Sequence, residues 1–323
     1  MRKALIVLFV LVLLAGGGGA WWAREQYRAP GPLPQPTAIV VPRGSSQAIA
    51  EVLVEQGAIR DARIFTLAAR VTRSDGPLRA GEYLFPANGS LEQVLEVLRE
   101  ARPVQRRLTL PEGLTAKQIT ALIDTAPGLT GDTPALDEGA VLPETYSYQY
   151  GDSRAALVRR ASGAMAATLD RLWKARSAGL PLETPREALV LASIVERETG
   201  MPEERPRVAA VFLNRLKRGM PLQSDPTVAY AAADGGPLDR ALTRADLDRD
   251  HPFNTYRVRG LPPGPIASPG EKSLEAVLHP ADSDELYFVA DGSGGHAFAG
   301  TLEEHNRNVA RWRQIERQRA TPR

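Results

Sequence analysis

The chain has 323 residues, 43% hydrophobic and 24% charged, with 40 Lys and Arg against 38 Asp and Glu. That length accommodates two domains, and the near balance of charge offers no basic face for nucleic acid. Cysteine is absent and histidine numbers four. Disulfides, thiolate catalysis and cysteine-based zinc sites are thereby excluded, no metal or cofactor is expected, and the chemistry falls to carboxylates, hydroxyls, amides and a few imidazoles.

In chain order, residues 1–3 form a short basic stub ahead of an uncharged run of nineteen residues, Ala4 to Trp22. As a helix this run spans about 28 Å, close to the thickness of a bilayer core. Arg2 and Lys3 before it and Trp21 and Trp22 after it predict a transmembrane helix with its N-terminus in the cytoplasm and the remainder exported. The competing reading is a cleaved signal peptide with a small-residue site in Gly16 to Ala20. Residues 23–36 read as a Pro-rich linker that lifts the following domain off the membrane. A local pattern then recurs: an apolar strand, a Pro, a Gly turn, a Ser or Thr cap and an amphipathic helix. It begins at Ala38, at Tyr83 and at Arg107, with another helix at 60–71 between the first two copies.

A Gly/Pro/Thr-rich connection at 124–139 leads to Leu142–Tyr148 (LPETYSY), where aromatic and acidic groups stand together. Sugar binding uses such a mixture, with Tyr146 as the candidate ring, and a Tyr-rich core strand has the same sequence. A long amphipathic helix is expected over 154–174.

The next helix carries the main candidates. Thr184 is its N-cap, Pro185 its first residue, Glu187 completes a capping box, and Gly200 is the expected stop. On a helical projection Ala188, Leu191, Ala192, Val195 and Thr199 share one face, with Ser193 and Arg197 opposite. Glu198 falls inside the apolar arc and Glu196 at its other edge, so Glu198 is expected to be the deeper of the two. Burial and the negative end of the helix dipole both favour a neutral, proton-donating carboxyl. The plainer alternative pairs these glutamates with Arg197, Arg205, Arg207, Arg215 or Lys217.

A helix over 202–218 includes Asn214 among apolar neighbours. In the polar loop Leu222–Thr227, Ser224 or Asp225 caps a helix starting at Pro226, and Thr243 caps another. Asn254 and Tyr256 precede Gly260–Gly270, whose four prolines and three glycines fix a rigid loop. The segment 286–290 reads as a buried strand, and the glycine turn after it presents His296 without a phosphate-loop pattern. A final helix ends in a basic tail at 319–323.

These segments resemble the YceG-like (MltG-type) endolytic murein transglycosylases. The resemblance rests on Ala192–Thr199 (ASIVERET), Val211–Leu216 (VFLNRL), Leu222–Val228 (LQSDPTV), Asn254–Tyr256, Gly260–Ile266 (GLPPGPI), His279–Pro280, Tyr287–Gly292 (YFVADG) and Gly295–His296, all in family order. It implies an α+β fold: the N-terminal transmembrane helix (4–22), a small LysM-like βα module (37–104) and a larger mixed catalytic domain (105–318) with its site on a helix. It implies Glu198 as the catalytic acid and base, with Glu196, Thr199, Tyr146, Asn214, Gln223, Asp225, Asn254, Tyr256 and His296 supporting it or binding sugars. The implied reaction cleaves the bond between N-acetylmuramic acid and N-acetylglucosamine within nascent peptidoglycan strands, without water or cofactor, and leaves 1,6-anhydro ends. The partners implied are glycan strands, the inner membrane and peptidoglycan synthases. The alternatives are a muramidase, with Glu144 or Asp225 as second carboxylate, and a non-catalytic glycan-binding scaffold.

Overall fold

A computed structural model describes residues 2–320, without the side chains of 2–5, 8 and 320. Contacts divide the chain into two compact units: residues 1–106 with 147–152, and residues 107–146 with 153–323.

The first unit contains α1 (Arg2–Arg28), β1 (Thr37–Val41), α2 (Ser46–Glu55), α3 (Ala62–Val71), β2 (Gly81–Phe85) and α4 (Leu91–Glu100). β1 and β2 pair antiparallel, Ile39 opposite Tyr83. Alternation turns Ile39, Val41, Tyr83 and Phe85 inward against Phe65, Leu95 and Leu98, while Leu84 faces solvent. Ser45 caps α2, Asp61 caps α3, and Ser90 with Gln93 closes a capping box on α4. The expected strand–turn–cap–helix pattern is present in both copies here.

Two expectations for the N-terminus change. The 23–36 segment is not a free spacer: α1 continues to Arg28, Leu33 is buried, and Gly31 and Asn88 bond each other's loops (Gly31 N–H to the Asn88 carbonyl, 3.0 Å; Asn88 N–H to the Leu33 carbonyl, 2.7 Å). Burying Leu33 draws those prolines onto the domain. The expected transmembrane helix is also not found, since among the described residues no helix is long and apolar enough to cross a membrane. The run is helical, with Ile6, Val7 and Phe9 to Leu14 exposed, but Gly16 to Gly19 add no apolar side chain. Part of it (the side chains of 4, 5 and 8), like Met1 of the stub and 321–323 of the tail, lies outside the described residues.

The second unit carries the site. Its elements are β3 (Arg106–Thr109) from Arg107 on, α5 (Ala116–Thr125), β4 (Thr145–Tyr148) as far as Tyr146, α6 (Arg154–Lys174), α7 (Pro185–Glu198), α8 (Arg205–Lys217), α9 (Asp225–Ala233), α10 (Arg244–Asp248), α11 (Glu271–Leu278), β5 (Tyr287–Ala290), β6 (His296–Ala299) and α12 (Leu302–Ala320). The third copy of the pattern gives β3 and α5, with Thr115 and Gln118 as capping box. β3 pairs with β4, and β5 with β6 as an antiparallel hairpin, Phe288 opposite Phe298.

The core forms where α7, α8 and α11 pack together, around Leu191, Val195, Val211, Phe212, Leu274 and Val277. Phe212 is fully buried and meets the Phe288 ring edge-on at 5.7 Å. Phe212→Ala is therefore expected to cost about 3–5 kcal/mol and roughly 10 °C in melting temperature, which calorimetry would read directly. α7 leaves its helical path at Thr199, whose backbone is extended, and Gly200 follows at the expected stop position without a left-handed backbone. Ser193, expected on a polar face, is fully buried: its hydroxyl donates to the Val190 carbonyl and accepts from Ile266 N–H. α7 is enclosed on both sides because the rigid loop ahead of α11 packs over its predicted polar face.

Candidate active site

Thr184 caps α7 through its hydroxyl, which accepts from Glu187 N–H, and Pro185 opens the helix. The Glu187 carboxylate reaches back one residue further than a capping box requires, to Glu183 N–H at 2.6 Å. This framing delivers Glu196 and Glu198 to the C-terminal end of a buried helix, into different surroundings.

Glu196 is deeply held, with its side chain 4% exposed. Arg205 donates to its Oε1 at 3.0 Å and Gly270 N–H to its Oε2 at 2.9 Å. Arg205 also reaches Glu112 at 3.3 Å. Gly270 permits this assembly because a Cβ there would stand 1.8 Å from Glu112 Oε1. Glu196 thus follows the plainer alternative, a carboxylate fully engaged with a cation and a backbone amide.

Glu198 is half-buried and belongs to no ion pair among the described residues. Its Oε1 accepts from the Ser224 hydroxyl at 2.5 Å. Desolvation pushes its pKa up to about 7, and the Asp225 charge adds to the rise. The Ser224 bond, the His296 charge and the Arg215 charge work against it. Arg215 is buried, which lowers its own pKa. It donates to the Leu286 carbonyl at 2.7 Å and the Leu222 carbonyl at 2.5 Å, tethering the loop that carries Ser224.

Thr199 does not bond Glu198. Its hydroxyl donates to Glu204 Oε2 at 3.3 Å and accepts from Met201 N–H. Glu204 in turn holds His296 by the backbone N–H (2.8 Å) and the ring Nδ1 (2.7 Å). The close approach depends on Gly295, where a Cβ would lie 2.6 Å from Glu204 Oε1. His296 is therefore held by Glu204 through both its backbone N–H and its ring Nδ1, within electrostatic reach of Glu198.

The loop at 222–227 supplies the facing wall. Gln223 is exposed and adopts φ of 51°, a left-handed conformation unusual for a residue with a side chain. Asp225 is exposed and accepts from the Tyr256 hydroxyl at 2.6 Å. Burial, then this bond, raises the Tyr256 phenol pKa well above its ordinary value. Three other candidates are committed elsewhere. Tyr146 is buried and donates to the Leu142 carbonyl at 2.7 Å; burial, with the Glu144 charge, pushes its phenol up to about 12. The Asn214 amide spans the Ser283 and Glu285 carbonyls at 2.7 and 3.0 Å. The buried Asn254 amide donates to the Leu247 and Arg249 carbonyls at 3.0 and 2.8 Å. Glu144 is exposed, one residue before β4.

The structure therefore brings Glu198, Ser224, Asp225, Tyr256 and His296 together. Of the residues around Glu198, Ser224 was legible only as a helix cap and Arg215 only as one of several possible partners for the glutamates; nothing in the sequence singled out Glu204. No group of three or more His, Asp or Glu stands where it could hold a metal ion among the described residues. The arrangement leaves the Glu198 carboxyl able to hold a proton near neutral pH, with the Ser224 hydroxyl bonded to it.

An α+β unit with an unpaired acid at the end of a core helix is the class defined by this geometry. The chain belongs to the YceG-like family, whose profile matches residues 39–311. It is 32% identical over 302 residues to the endolytic murein transglycosylase of Bacillus subtilis (strain 168), covering 83% of this chain and 82% of that protein. It is 31% identical over 321 residues to the endolytic murein transglycosylase of Streptococcus pneumoniae serotype 2, covering 84% of this chain and 57% of that longer protein. A crystal structure of a yceG-like protein from Listeria monocytogenes superposes with a TM-score of 0.54 at 29% identity, covering 84% of this chain and 98% of that one.

Proposed function

We propose that this protein is a murein transglycosylase of the lytic kind, with Glu198 as its proton-transfer group. The observation that carries the reading is the Glu198 carboxyl, held up to about 7 by desolvation and, among the described residues, bonded to the Ser224 hydroxyl and in no ion pair. The names of the curated relatives supply the substrate class. Ordinary glycosidases use two carboxyl groups, whereas a lytic transglycosylase takes its nucleophile from the substrate. Glu198 donates its proton to the oxygen linking N-acetylmuramic acid to N-acetylglucosamine, and that C–O bond breaks. The muramyl C6 oxygen closes on C1, and its proton returns to Glu198. The product is a 1,6-anhydro end, with no water consumed. Ring closure within one sugar is favoured by proximity.

Gln223, Asp225 and Tyr256 are the exposed groups next to Glu198 able to hold sugar hydroxyls. The first unit, with its β1–α2–α3–β2–α4 order, supports a LysM-like glycan-binding role, and the exposed apolar residues of α1 support attachment at the cell envelope. In that setting the enzyme cuts nascent strands internally, ends their elongation and works beside peptidoglycan synthases.

The test is mass spectrometry of products after incubating the full chain with purified glycan strands. Anhydro-ended fragments are the expected result. Reducing ends would replace the reading with hydrolysis, for which Asp225 is the second carboxylate at hand. Because the acid must be protonated to start the reaction, kcat/KM is expected to be high below the Glu198 pKa and to fall about tenfold per pH unit above about 7. A pH–rate profile checks this, and a rate that climbs steadily through pH 7 to 9 would contradict it.

A further inference from the structure

Ser224 occupies the residue before α9 with the extended backbone of an N-cap, yet its side chain makes no capping bond. Its hydroxyl is turned instead onto Glu198 Oε1, 26 residues away in sequence. What frees the side chain is a closed circuit of hydrogen bonds. Ser224 N–H donates to Thr255 Oγ1 at 2.9 Å, and Thr255 Oγ1 lies 2.9 Å from Thr227 Oγ1. Thr227 Oγ1 donates to the Ser224 carbonyl at 2.7 Å. Each threonine hydroxyl has a single proton. Thr227 spends its proton on Ser224, so Thr255 is the donor in the pair they share, and the circuit runs in one direction. All three residues are buried, at 1%, 0% and 0% exposure for Ser224, Thr227 and Thr255. The residue before, Gln223, is held left-handed with its N–H on the Thr255 carbonyl at 3.1 Å. Strain in a non-glycine residue persists where the surroundings over-determine it, and such places concentrate at functional sites.

We propose that Ser224, locked by Thr227 and Thr255, is a positioning residue that orients the Glu198 carboxyl and reserves Oε2 as the oxygen that carries and delivers the proton. The proposal rests on the assignment of Glu198 as the acid. Because the Ser224 proton is committed to Oε1, the neutral acid keeps its own proton on Oε2. The carboxyl cannot turn over without losing that bond. After proton donation the same bond stabilises the carboxylate, which then accepts the C6 proton at the same oxygen. The hydroxyl expected from sequence to serve Glu198, Thr199, is spent on Glu204.

The experiment compares the full chain with Ser224→Ala, Ser224→Thr, Thr255→Val and Thr255→Ser, with melting curves to establish folding. Ser224→Ala is expected to lower kcat about 10- to 100-fold with KM little changed. It should also move the basic limb of the pH–rate profile upward by about one pH unit, because removal of a donor disfavours the charged carboxylate. Ser224→Thr, which keeps the hydroxyl, is expected to restore the limb. Thr255→Val is expected to move it in the same direction as Ser224→Ala, and Thr255→Ser to leave it in place. Carboxyl carbon NMR of Glu198, assigned by its loss in Glu198→Gln, reads the same titration without turnover. If the wild-type chain cleaves no glycan but its Glu198 signal shifts upward in Ser224→Ala, the function is wrong and the positioning bond stands. A folded Ser224→Ala variant with unchanged kcat and unchanged titration overturns the proposal.

Discussion

Glu198→Gln is expected to lower strand cleavage by at least about 10³-fold while the protein stays folded, because the amide keeps the shape of the carboxyl and cannot give up a proton to a glycosidic oxygen. Product mass spectrometry measures it: fragments from wild type and none from the variant. The same substitution has a signed effect on stability. The native pKa is raised to about 7, above the roughly 4.3 of an unfolded glutamate. Between those values the native state holds a proton that the unfolded state has released. The contribution of Glu198 to stability is therefore full at low pH and is lost as pH rises through about 7. A glutamine has no such dependence. Glu198→Gln should melt above wild type at pH 8, with the gap closing toward pH 5. Full activity in the variant would assign the chemistry to another group.

The second large effect concerns the neighbouring carboxylate. Arg205→Leu leaves Glu196, whose side chain is 4% exposed, with the Gly270 amide as its remaining donor. Breaking one side of a buried pair costs about 3–5 kcal/mol because the other charge stays desolvated. Denaturant midpoints should fall accordingly, and the double variant Arg205→Leu with Glu196→Leu should recover much of the loss. Glu196→Gln alone is expected to leave the pH–rate profile in place. A shifted profile would mean that Glu196 handles protons after all.

The distinction between these two glutamates shows where sequence reasoning reached and where it stopped. Capping residues, Pro185 and apolar spacing are local, so α2, α4, α5, α6 and α7 could be read from neighbours within a turn or two. Depth around α7 could not. A projection sees one helix, and the loop that buries Ser193 and Glu196 arrives from more than seventy residues away. Ser224 looked like a cap because it sits where caps sit; only the return of Thr255 against Thr227 turns its side chain elsewhere. Asn214, Asn254 and Tyr146 have the composition of a sugar site, and the structure spends their polar atoms on backbone carbonyls. An amide destined for a loop carbonyl and one destined for a sugar hydroxyl have the same letter. The Pro-rich segment misled for a related reason, since the seat for Leu33 is formed by distant residues.

Glu198 is the last residue of α7, and the same helix supplies Leu191, Ala192 and Val195 to the centre of the second unit. The acid thus has no hinge of its own between itself and the core. Local opening elsewhere in the chain leaves it in place, and only loss of the core displaces it. On heating, inactivation and cooperative unfolding should coincide, and long-term survival of the catalyst should be set by the rate at which the whole unit comes apart.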